Sequence, residues 1–79
     1  MTLFNPAEHL TDREREIVQL VAIGLSAKEA ALKLGIAPCT VERHVENVRL
    51  KTRTRNRVHM VAHVLRTGLL DRHDARFAA

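Results

Sequence analysis

Arg43, Glu46, Asn47 and Leu50 recur every three or four residues, so on a helix they share one face, with Glu42 at its edge. Guanidinium, carboxamide and carboxylate groups at that spacing supply the donors and acceptors that read base edges in a DNA groove. Taken alone, the same face also fits a solvated amphipathic helix. Val41, Val45 and Val48 fall on the opposite side, which predicts that they turn inward. Gly35 supplies a tight turn ahead of this helix, and Pro38 suits its first position, where the missing N–H is not needed. Ile36 and Val41 have the spacing of a hydrophobic staple. The pattern predicts a helix from Pro38 to about Arg53 that enters the DNA major groove.

Charge points the same way. The chain of 79 residues has a formal charge of +4, unevenly placed. Residues 1–38 hold four Lys/Arg against five Asp/Glu, whereas residues 39–79 hold nine against four. Arg49, Lys51, Arg53, Arg55 and Arg57 form a block with no acid between them. Such a block in a small domain suggests a polyanionic partner, nucleic acid above all; the alternative is a basic surface that serves solubility.

Other chemistry finds less to stand on. His59 and His63 have the i, i+4 spacing of a two-histidine metal face, but no third ligand lies at a usual distance. Cys39, near a helix N-terminus, invites a redox reading and fits better a plain, partly exposed thiol. There is no Gly-rich phosphate loop and no Ser/His/Asp set that helices would assemble. We expect no enzyme, no metal and no cofactor.

The elements that must position the reading helix are legible from local signals. Thr11-Asp-Arg-Glu14 is a capping box that opens a first helix, with Ile17, Leu20 and Val21 inward and Gly24 at its end. Ser26-Ala-Lys-Glu29 opens a second, short helix with Ala30, Ala31 and Leu34 inward, closed by Gly35. Ala37 stands where a Ser, Thr, Asp or Asn belongs, so the reading helix starts without a side-chain cap. Asn56 caps a fourth helix ending near Gly68. On it Val58, Val61, Ala62 and Leu65 form one apolar stripe, and Met60 and Val64 a second. Two apolar faces exceed what a lone small domain buries, which assigns Met60 and Val64 to a dimer contact; the alternative is one wide core-facing stripe. Residues 1–9 read as a flexible arm, with Leu3 and Phe4 available to dock, 10–70 as the domain, and 71–79 as a fraying tail. No run is long enough for a membrane span, and no secretion signal opens the chain. One cysteine and no export signal fit a cytoplasmic location. The fold class is all-α, four helices with a helix-turn-helix formed by the second and third.

With these elements in order, Leu10-Thr-Asp-Arg-Glu-Arg-Glu-Ile17, Gly24-Leu-Ser-Ala-Lys-Glu-Ala-Ala31 and Leu34-Gly-Ile36 resemble the LuxR-type (GerE-like) DNA-binding domain. Pro38, Thr40-Val41, His44, Asn47, Lys51, Arg57 and Gly68-Leu-Leu70 continue the resemblance in register, from Leu10 to Leu70. Arg55-Asn56-Arg57 with His59 further resembles the quorum-sensing branch of that family. The resemblance implies a regulator of transcription that binds double-stranded DNA as a homodimer through its fourth helix, with the third helix in the major groove. It places Glu42, Arg43, Glu46 and Asn47 toward the bases and Thr40 and Lys51 on phosphate. Lys28, Arg55 and Arg57 join the candidate phosphate contacts.

Three departures from the family pattern bear on function. Ala37 replaces a common Ser; Thr52-Arg53 stands where Leu-Gly is usual, which predicts a longer or looser helix end; and Glu42 and Glu46 place acids among DNA phosphates. Nine residues ahead of the first helix hold neither a receiver nor a ligand-binding domain, which leaves a free-standing regulator or a fragment of a longer one. An alternative follows: a domain that pairs with a full-length LuxR-type partner and inhibits it. A σ-factor-like helix-turn-helix touching RNA polymerase is a third reading, which the His44, Asn47 and Lys51 pattern fits less well.

Overall fold

The computed structural model describes residues 9–70. It contains four helices, α1 (Asp12–Ala22), α2 (Ala27–Leu34), α3 (Pro38–Thr52) and α4 (Arg57–Thr67), and no strand among the described residues. The expected arm, apart from His9, and the expected tail lie outside them.

Both capping boxes form. Thr11 Oγ1 accepts from the Glu14 N–H at 3.1 Å while Glu14 Oε1 accepts from the Thr11 N–H at 2.9 Å. Ser26 and Glu29 repeat the arrangement at 3.1 and 2.8 Å. Each box satisfies two of the backbone donors that a helix start leaves open. Gly35 ends α2 at φ 70°, a left-handed conformation that any Cβ would strain, and both its N–H and that of Ile36 close onto the Ala31 carbonyl. That turn delivers Pro38 to the first position of α3. Ala37 makes no side-chain cap hydrogen bond, as its side chain dictates.

The far end of α3 falls within one residue of the expected boundary at about Arg53. The helix stops at Thr52, and Arg53 takes the left-handed cap conformation at φ 56°, ψ 43°, the one positive-φ residue other than glycine among those described. The end is an ordered left-handed cap. A cluster of hydrogen bonds holds it. Thr52 Oγ1 donates to the Val48 carbonyl at 2.9 Å and lies 3.0 Å from Thr54 Oγ1, and Arg49 Nη1 donates to the Thr54 carbonyl at 2.7 Å. These contacts offset the strain of a Cβ in the left-handed region.

Leu10, Ile17, Val18, Val21, Ala30, Ala31, Val41, Val45, Val48, Met60, Val64 and Leu70 form one continuous core. Two alanines of α2 are buried in it, which lets α2 lie close along α3, its most extensive neighbour. Ile36 packs partly buried on the same cluster as Val41, in keeping with the staple spacing.

The assignment of Met60 and Val64 to a dimer contact is overturned: both are fully buried in the core of the single chain. Val58 and Leu65, from the other stripe, are 79% and 54% exposed. The reason lies in tertiary contact. Arg57 shares a side of α4 with Met60 and Val64, at i, i+3 and i+7, and its guanidinium reaches Glu42 of α3 at 2.6 Å. Met60 and Val64 fill the continuous core, whose burial outweighs that exposed ion pair, and the stripe of Val58, Ala62 and Leu65 is left outside.

Candidate nucleic-acid interface

The inward face of α3 is Val41, Val45, Val48 and Thr52, all buried. Its outward face carries Glu42, Arg43, Glu46, Asn47 and Leu50, all exposed. The five reading-face residues are thus brought together on solvent, on the helix that α1, α2 and α4 all pack behind.

The two acids do not stand alone. Glu42 Oε1 pairs with Arg57 Nη2 at 2.6 Å, bridging α3 and α4. Glu46 accepts two hydrogen bonds from Arg49, Nε to Oε1 at 3.0 Å and Nη2 to Oε2 at 2.5 Å, in the fork geometry that arginine and carboxylate favour. The Arg49 hydrogen bonds, with its charge, hold the Glu46 carboxyl below its ordinary pKa, and the same contacts raise that of Arg49. Arginines of the basic block thereby neutralise the acids that would otherwise repel phosphate. Sequence reasoning missed these pairs; the i, i+3 spacing of Glu46 and Arg49 was the one available signal.

Lys51 is placed differently from the expectation that it contacts phosphate. Its Nζ lies 2.7 Å from Glu14 Oε1 and 3.3 Å from the His9 carbonyl, so it braces the end of α3 against the start of α1. Glu14 is buried; burial alone would raise its pKa, but hydrogen bonds from Lys51 and Thr11 and the charge of Lys51 bring it below the ordinary value. The brace takes two of the three Nζ donors, and the side chain stays 31% exposed. Arg57 likewise has its guanidinium engaged, by Glu42.

Among the described residues, Lys28, Arg43, Arg53 and Arg55 are exposed and make no ion pair. Lys28 sits in the first turn of α2, Arg43 in the middle of the reading face, and Arg53 and Arg55 beyond the end of α3. Arg53, absent from the sequence-derived candidates, joins them because its left-handed backbone leaves the side chain in solvent. Thr40 is half-buried in the first turn of α3. The connector is fixed by the Arg55 N–H, which donates to His59 Nδ1 at 3.1 Å, and by Asn56 Oδ1, which accepts from the His59 N–H at 2.9 Å. Cys39 is exposed and free. No group of three or more His, Cys, Asp or Glu among the described residues is placed to hold a metal ion, and no helix there is long and apolar enough to cross a membrane.

A face with one free guanidinium and one free carboxamide, neutralised acids beside them and the unpaired Arg53 and Arg55 beyond its C-terminal end is suited to base contact at its centre and phosphate contact at its rim. Comparison with known proteins gives the family. Residues 8–64 match the family model described as bacterial regulatory proteins, luxR family. The chain is 37% identical over 59 residues to the transcriptional regulatory protein DesR of Bacillus subtilis, covering 75% of this chain and 30% of that protein. It is 39% identical over 64 residues to the probable transcriptional regulator ycf29 of Porphyra purpurea, covering 81% and 31%. To the probable transcriptional regulatory protein NarL of Mycobacterium tuberculosis it is 39% identical over 62 residues, covering 78% and 29%. The chain spans about a third of the length of these relatives. Their names carry no support for the finer resemblance to the quorum-sensing branch.

Proposed function

The chain belongs to the luxR family of bacterial regulatory proteins, matching its model over residues 8–64, and from that premise we propose that it regulates transcription by binding double-stranded DNA as a dimer, with α3 in the major groove. The observation that carries the reading is the outward face of α3, on which Arg43 and Asn47 keep their donors free while Glu42 and Glu46 are each held by an arginine. Arg43 suits guanine O6 and N7, and Asn47 suits adenine N6 and N7. Lys28, Thr40, Arg53 and Arg55 grip phosphate around them, and Lys51 keeps α3 seated on α1.

The dimer contact in this reading moves to the exposed stripe of α4. Val58, Ala62 and Leu65 border a groove of about 390 Å³ that Val61 and Val21 of α1 complete. A second copy placing the same stripe there gives a two-fold contact and two copies of α3 facing one side of a duplex.

Selection from random duplex DNA, followed by a salt series on the sites recovered, tests this. Sites with dyad symmetry and a steep salt dependence are expected; weak binding indifferent to sequence refutes base reading. The same α4 stripe favours one other reading, in which the chain pairs with a different luxR-type protein and blocks its DNA binding. Monomers that bind DNA poorly but associate with such a protein would favour it.

A further inference from the structure

We propose that Leu50 reads a thymine in the binding site through that base's 5-methyl group; the inference rests on the reading that α3 lies in the major groove. Leu50 is 58% exposed although α3 buries four residues one turn apart on its other side. It follows Arg43 by seven residues, Glu46 by four and Asn47 by three, so it stands in the same row. At about 100° per residue its direction is opposite the mean of Val41, Val45, Val48 and Thr52 to within about 10°. No other residue in the second half of α3 points so directly away from the core.

Reach and chemistry then narrow its role. At about 1.5 Å per residue, Leu50 lies roughly 10 Å along the helix from Arg43, within the ~12 Å width of the major groove. Base pairs present one apolar group in that groove, the thymine methyl. An isobutyl side chain gains nothing from a phosphate, whereas against that methyl both surfaces leave water. The neighbouring acid is held aside, since Arg49 draws Glu46 away from the row occupied by Leu50 and Asn47. Asn47, one turn back, is left to hold an adjacent base by hydrogen bonds while Leu50 packs on the methyl.

The test uses the tightest duplex selected by the whole chain and replaces each thymine in turn by uracil, which removes only the methyl. The wild-type chain is expected to lose roughly fourfold in affinity, the worth of about one buried methylene, at one thymine per half-site. Leu50→Ala should bind the thymine and uracil duplexes alike at that position, with unchanged thermal stability because the side chain is exposed. Arg43→Ala should retain the methyl effect. A methyl effect that persists undiminished in Leu50→Ala, or one found at no position, overturns the inference while leaving groove reading by Arg43 intact. If the wild-type chain selects no site at all, the placement of α3 itself fails, and the role of Leu50 with it.

Discussion

Glu14 and Lys51, 37 residues apart, meet at 2.7 Å, and the same carboxylate oxygen also accepts the Thr11 backbone N–H. One buried group thus caps α1 and fixes the end of α3. Glu14→Gln should destabilise the domain by about 1.5–3 kcal/mol, the range for hydrogen bonds to charged groups. The sign with pH follows from the depressed pKa. The contribution is fully present above the ordinary value of 4.5 and is lost as pH falls below it through the lower folded value. Chemical denaturation of both proteins between pH 3 and pH 7 checks this; curves that stay parallel throughout would remove Glu14 as the cause.

The two ends of α3 each lack the residue that its backbone favours. Ala37→Ser adds the missing cap and should stabilise by ~1 kcal/mol. Arg53→Gly relieves a left-handed Cβ and should add about 0.5–1 kcal/mol, less than the full strain because glycine gains unfolded-state freedom. The sites are far enough apart for the gains to add, so the double variant should melt about 6–16 °C higher. A fall in melting temperature for Arg53→Gly would mean that the Thr52–Thr54 cluster already removes the strain.

Arg43→Ala and Arg55→Ala should fail in different ways. The first should cost ~1–3 kcal/mol on the selected site and relax preference at one position. The second should weaken all duplexes about equally and lower the salt slope by about one. Equal loss on every sequence for Arg43→Ala would show it to be a phosphate contact.

The exchanged faces of α4 make a paired prediction. Met60→Ala should cost about 2–5 kcal/mol because it opens a void in a closed core. Leu65→Glu should leave stability nearly unchanged and shift sedimentation toward the monomer, with loss of cooperative binding to a dyad site. A stable Met60→Ala, or an undisturbed dimer in Leu65→Glu, would reverse the assignment.

What could be read from sequence was what a few neighbouring residues decide. Thr11, Ser26, Gly35, Pro38 and Asn56 marked helix ends by chemistry that acts within one turn, and the valine stripe of α3 told its two faces apart. The orientation of α4 was not legible, because both of its stripes are apolar and the choice between them depends on which one fits the core made by residues far away in the chain, such as Ile17, Val18 and Val41. Lys51 looked like one more cation in a basic block; its partner lies 37 residues away, and no local pattern records it. The end of α3 near Arg53 was legible to within a residue, but the hydrogen bonds that hold it, from Thr52, Thr54 and Arg49 together, were not, because no single-residue preference predicts the combination.

The pairing of Glu42 with Arg57 and of Glu46 with Arg49 also bears on how the chain searches. On the proposed reading, the arginines stay with their own acids on an arbitrary duplex, so grip on generic phosphate is limited to the unpaired cations and residence there is expected to be brief. On the same reading, cytosine N4 groups that take over the two carboxylates would release Arg49 and Arg57 to the backbone and lengthen dwell time at such a sequence. We expect dissociation from the selected site to depend more steeply on salt than dissociation from scrambled DNA, measurable as the difference in slope between the two. Equal slopes would mean that the internal pairs persist on every sequence. Acids on a reading face, where they first look like a defect, then act as a brake on lingering in the wrong place.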